Sequence, residues 1–220
     1  MLLYEKGRFL KMSAYLYLLL FIMIFVVVVV ASAVITFKMI KSGLGEKIKL
    51  DITTEDMKSS ERRIKDFFRK NNLQAGESIF EIARILNVEQ GGIERGLQSQ
   101  AYLKECDDQK KIVVFNSELS EKERYFVFAH EIAHLINGDS IPAARPSGRN
   151  KAKIEQLADY TAAALLMPED AIYNYLKNSN YKQISIKKRA MIVNELCEKY
   201  NVTEIIALRR IKEVYVLKQS

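Results

Sequence analysis

Residues 120–138 read SEKERYFVFAHEIAHLING. Ser120 with Glu123 three positions later forms a capping box in front of an apolar run, and Gly138 stands where a helix of about 121–137 should stop. Inside it lies His130-Glu131-Ile132-Ala133-His134. Side chains four apart on a helix lie one above the other, so both imidazoles project side by side and can reach one zinc ion. Glu131 occupies a neighbouring sector, from which it can act as general base for an attacking water. A catalytic zinc needs three protein ligands and an open position. The chain has only two histidines, both spent here, so the third ligand is a carboxylate or a thiolate. A pattern with a third histidine is excluded, since Asn137 and Ser140 occupy the positions it would need.

Beyond this helix, Pro142, Pro146 and Gly148 mark a loop before a helix of about 151–167 that ends at Pro168. Glu155 on that helix is the natural third ligand, because the loop can turn the chain back on itself. Asp159 follows one turn later on the same face, placed to accept a hydrogen bond from a ligand histidine. Ala158 and Ala162 are small enough for two helices to approach closely there. The plainer readings are a surface histidine pair, a solvated Glu155 beside Lys151 and Lys153, and a helix salt bridge at Asp159. Cys106 is the thiolate alternative. A helical Glu following HExxH, with an Asp one turn on, is the gluzincin arrangement.

Elsewhere, helices are expected at 55–72, 77–87, 169–178, 185–200 and 203–217, and strands at 99–105 and 111–116 around Asp107-Asp108-Gln109. Gly91-Gly92 reads as a break in the chain. The fold class is therefore α+β: a mostly helical, zincin-like domain with a small β-sheet.

The net charge is +7, but residues 1–49 hold seven Lys/Arg against two Glu, leaving 27 basic and 25 acidic groups afterwards. That balance gives no electrostatic reason for nucleic-acid binding. No charge interrupts Met12 to Phe37, which is long enough for a transmembrane helix. Ala31-Ser32-Ala33 resembles a signal-peptide cleavage site, but the apolar run continues past it, favouring a retained anchor. The expected organisation is a flank at 1–12, a transmembrane helix at 13–37 in the lipid bilayer, a linker at 38–54 and a metallopeptidase domain at 55–220. Lysines flank the span on both sides; a slight excess after it, with two unpaired cysteines, places the domain in the cytoplasm of a single-pass protein.

Two blocks resemble the ImmA/IrrE family of metallopeptidases. One is Arg124 to His134; the other runs from Glu155-Gln156-Leu157-Ala158-Asp159 to Leu165-Leu166-Met167-Pro168. The likeness extends over roughly residues 75–215. It implies a zinc endopeptidase with His130, His134 and Glu155 as metal ligands and Glu131 as catalytic residue. It also implies a protein substrate of the DNA-binding repressor type found in phages and mobile elements. Thr161 departs from the phenylalanine usual at its position, and an amino-terminal anchor is not a general family feature. Residues 192–211 resemble a helix-turn-helix. With Arg209, Arg210 and Lys212 as its one basic cluster, the pair is expected to complete the protease domain rather than bind nucleic acid. Tyr125, Tyr160 and Arg145 are candidates for stabilising an oxyanion. The competing reading from another class is a non-enzymatic membrane regulator that binds a partner through its zinc domain.

Overall fold

The computed structural model describes residues 52–106, 110–139 and 149–219. All belong to one compact unit, Ile48–Ser220. Its elements are α1 (Thr54–Lys70), α2 (Ile79–Ile85), β1 (Val88–Glu94), β2 (Ala101–Glu105), β3 (Lys111–Asn116), α3 (Glu121–Asn137), α4 (Arg149–Leu166), α5 (Glu169–Asn178), α6 (Ile186–Lys199) and α7 (Glu204–Gln219). A mostly helical domain with a three-stranded sheet is an α+β fold, as expected.

The helix ends follow local chemistry. Thr53 caps α1 through a capping box with Asp56, and Ile52 is already buried. Ordered structure therefore reaches into the stretch read as linker. Asn71 closes α1 and Asn72 adopts φ 54°, a left-handed conformation that asparagine tolerates better than most residues. Ser120 and Glu123 form the reciprocal capping box of α3.

The sheet order is β1-β3-β2. The β2 and β3 strands pair antiparallel, Leu103 opposite Val113, whereas β1 runs parallel to β3. Strand β1 is the element that the sequence conceals: the Gly91-Gly92 pair is an irregularity within a strand, not the end of structure. The register shifts between Gln90 and Ile93. A Cβ on Gly91 would lie 2.2 Å from Cγ2 of Ile112 and 3.1 Å from the Val113 carbonyl oxygen. Glycine there allows β1 to approach β3. The sheet buries Leu103, Val113 and Phe115, and Phe115 packs against Phe128 of α3 with ring centroids 6.4 Å apart.

Helices α3 and α4 meet in the common core. Ala129 and Ala133 of the first, and Ala158 and Ala162 of the second, are fully buried there. Thr161 is also buried; its hydroxyl lies 2.6 Å from Ser60 of α1 and donates to the Asn137 side chain of α3 or to the Leu157 carbonyl. A phenylalanine at this position would lose the polar link between three helices. Helices α6 and α7 and the turn between them bury Val193, Leu196, Val202, Ala207, Ile211 and Val214, so the pair resembling a helix-turn-helix is built into the core.

The membrane placement requires correction. Among the described residues no helix is long and apolar enough to cross a membrane, which overturns the expected placement as a single-pass membrane protein. Residues 13–37, on which the expectation rested, lie outside the described residues, as do most of the flank and linker.

Candidate metal centre

The spacing of His130 and His134 on α3 sets their rings side by side, centroids 4.7 Å apart and close to perpendicular. Their Nε2 atoms lie 3.0 Å from each other. From α4, Glu155 brings Oε2 to 3.2 Å from Nε2 of His130 and 3.6 Å from Nε2 of His134. These three side chains are the one group among the described residues that could hold a metal ion. Cys106, at the end of β2, is a free cysteine outside that group.

The outward edges of the rings define their protonation. Nδ1 of His130 lies 2.9 Å from Oδ1 of Asp159, and Nδ1 of His134 lies 2.9 Å from Oδ2 of Asp139. An ionised carboxylate only accepts, so each Nδ1 carries the hydrogen and donates it. In the neutral rings, both Nε2 lone pairs then face the Glu155 carboxylate. Three acceptor atoms thus converge, an arrangement that favours a proton or a cation between them. Without a metal a proton serves: burial alone would lower the pKa of His130, but hydrogen bonds to Asp159 and Glu155 outweigh it and hold the ring up at about 9.

The donor set fits a dication. A tetrahedral zinc with bonds of ~2.0–2.1 Å places its ligand atoms about 3.3–3.4 Å apart, close to the observed triangle of 3.0, 3.2 and 3.6 Å. Three protein donors would leave the fourth position of a tetrahedral ion free, the pattern that distinguishes catalytic from structural zinc sites. His134 is almost fully covered, whereas Glu155 keeps 33% of its side chain exposed, so the site opens to solvent on the Glu155 side. Glu131 is buried beside His130 and contributes to holding that ring protonated. Glu131, Asp139, Glu155 and Asp159 together make the environment strongly acidic, as a bound cation requires.

The model of the IrrE N-terminal-like domain, Peptidase_M78, matches residues 93–212, from the end of β1 into α7. The chain belongs to this family. Comparison with the curated proteins returned no match. Among solved structures it is similar to a Mycobacterium tuberculosis transcriptional regulator, at 16% identity and a TM-score of 0.45. The alignment covers 72% of this chain and 47% of the regulator, so the chain spans about half its length.

Two residues of this IrrE N-terminal-like domain were not foreseen as parts of the site. Asp139 reaches back to His134 because Gly138 takes a left-handed φ of 78° and reverses the chain. A carboxylate immediately after a C-cap glycine, five positions beyond the second histidine, was the available signal. Arg209 donates from Nη1 to Oδ2 of Asp159 at 2.9 Å. No local pattern connects residues fifty apart. Burial would raise the pKa of Asp159, but His130 and Arg209 hold its carboxyl below the ordinary value.

The basic cluster on α7 is thus largely internal. Arg210 is fully buried, with Nη2 2.8 Å from Glu61 and Nε donating to the Met167 carbonyl. Of the oxyanion candidates, Tyr160 is buried and donates to Glu61 at 2.8 Å, which spends its hydroxyl away from the histidines. Tyr125 packs on Phe80, ring centroids 5.9 Å apart. Arg145 lies outside the described residues.

Proposed function

We propose that the protein is a zinc-dependent endopeptidase in which His130, His134 and Glu155 hold the ion and Glu131 is the general base. The observation that carries this reading is the convergence of two imidazole nitrogens and one carboxylate oxygen, with each opposite ring edge anchored by an aspartate. A bound dication would supply Lewis acidity there, polarising a peptide carbonyl and making water acidic enough to attack near neutral pH. Glu131 accepts the proton of the attacking water and delivers it to the departing amine, so that one peptide bond and one water become a carboxylate and an amine. Asp159 and Asp139 keep the histidines in the tautomer that turns Nε2 inward. The unit following residue 54 is read as one catalytic domain, completed by α6 and α7.

The proposed substrate is a regulatory protein of the DNA-binding repressor type, on the strength of the family resemblance carried by Arg124–His134 and Glu155–Pro168. The test compares cleaved protein termini, by mass spectrometry, in cells expressing wild type or Glu131→Gln. Specific cleavages should vanish in the variant while purified protein keeps its zinc. Identical cleavage patterns would refute the general-base role. Zinc retention without cleavage in either strain would favour a binding regulator over an enzyme.

A further inference from the structure

We propose that Arg209 is a positioning residue of the metal centre, clamping Asp159 so that His130 keeps one ring orientation towards the ion. The proposal rests on the reading of His130, His134 and Glu155 as metal ligands and extends it to the C-terminal helix.

Asp159 uses both carboxylate oxygens. Oδ1 accepts from Nδ1 of His130 and Oδ2 accepts from Nη1 of Arg209, each at 2.9 Å. With only the histidine bond, the carboxylate could rotate about its Cβ–Cγ axis and carry the ring with it. The second bond fixes its plane. The guanidinium is fixed in turn: Nε donates to Oε1 of Glu213 at 2.9 Å, and Nη2 to the carbonyl of Gln156 at 3.3 Å. One planar fork thus spans three acceptors, two from α4 and one from α7, with 15% of its side chain exposed. A lysine ammonium is a point donor on a flexible stem and cannot reproduce that span.

Charge alone does not account for the placement, because a cation beside the centre opposes binding of another cation. Glu213, fully buried at 2.9 Å from Nε, offsets it. What the pair adds is geometry. His134 is served differently: its aspartate is held by the turn at Gly138 next to it in the chain, whereas the aspartate of His130 is held by Arg209, fifty residues further along. Arg209 therefore makes α7 part of the metal centre.

The test measures Zn2+ affinity by competition with a chromophoric chelator, and the Co2+ absorption spectrum as a report of ligand geometry, alongside thermal unfolding of the same full-length proteins. Arg209→Lys should weaken Zn2+ binding about 10- to 100-fold, the range found when support of a ligand histidine is lost, and should alter the Co2+ spectrum. Arg209→Met/Glu213→Gln, which removes both charges together, should do the same and carries the test should the lysine variant not fold. Lys218→Met, on the same helix but paired with Glu169 and Asp170, should leave affinity unchanged. Arg209→Lys combined with Asp159→Asn should bind no more weakly than Asp159→Asn alone, since both act on one ring. Arg209 variants that bind within about threefold of wild type, or losses that multiply in the combined variant, overturn the proposal. Wild-type protein that binds no zinc would overturn the metal reading itself, and the role of Arg209 with it.

Discussion

Replacing Arg210 by methionine tests whether the ionic cluster inside the helical core behaves as its geometry requires. The guanidinium has no exposed surface. It makes a 2.8 Å contact with Glu61, donates to the Met167 carbonyl at 2.9 Å and lies 3.8 Å from Glu213, which is equally buried. Methionine fills much of the same volume, so the loss is mainly electrostatic. Removing one partner of a buried ion pair costs about 3–5 kcal/mol, because the other charge remains buried. Here Glu213 keeps Arg209 and Glu61 keeps the Tyr160 hydroxyl, while the Met167 carbonyl loses its side-chain donor. These retained partners place the expected loss near the lower end, about 3 kcal/mol, or roughly 6–12 °C in melting temperature for a domain of this size.

The pH dependence has a definite sign. Burial raises the pKa of Glu213 above its ordinary 4.5, and Arg210 and Arg209 oppose that rise. Without Arg210 the folded-state pKa rises further. A carboxyl whose folded pKa lies above its unfolded one destabilises increasingly as pH climbs through that interval. The deficit of Arg210→Met should therefore be largest at neutral pH and shrink towards pH 4.5. Urea denaturation followed by circular dichroism at two pH values measures it, and Arg210→Met/Glu213→Gln should recover part of the loss. A deficit below about 1 kcal/mol at pH 7, or a double variant no more stable than the single one, would contradict this account of the cluster.

Other outcomes follow from single contacts. Asp139→Asn should weaken zinc binding about 10- to 100-fold in chelator competition, since His134 would lose its carboxylate anchor. Gly91→Ala should destabilise by about 1–3 kcal/mol through the clash with Ile112 and the Val113 carbonyl, whereas Gly92→Ala, with nothing within 4 Å of an added Cβ, should cost much less in the same urea titration. Ser120→Ala should cost about 1 kcal/mol through loss of the α3 cap. The cap's hydrogen bonds to Glu123 lower that carboxyl's pKa below 4.5, so this stabilisation is present above pH 4.5 and disappears as pH falls through the depressed value; equal acid sensitivity in Ser120→Ala would contradict it.

Local chemistry made much of the fold and the centre legible. The Ser120–Glu123 box and Gly138 delimit α3 because caps act within one turn, and the four-residue spacing of the histidines fixes their common face on any helix. Strand β3 was equally plain, with β-branched residues and a phenylalanine in its middle. By contrast β1 was hidden, since two glycines carry no side-chain pattern and the strand exists only because β3 lies beside it. The membrane reading rested on the apolarity of residues 13–37 alone, and no helix among the described residues supports it.

Residue spacing alone puts the two imidazoles on one helix face and the carboxylates of Glu155 and Asp159 on another. The folded chain is what brings those faces together, turns Asp139 back onto His134 and points Arg209 and Arg210 inward. The reason is range: helix periodicity and capping are set by neighbours within about four residues, whereas the direction in which a long cation settles depends on which buried carboxylates the folded chain brings within reach.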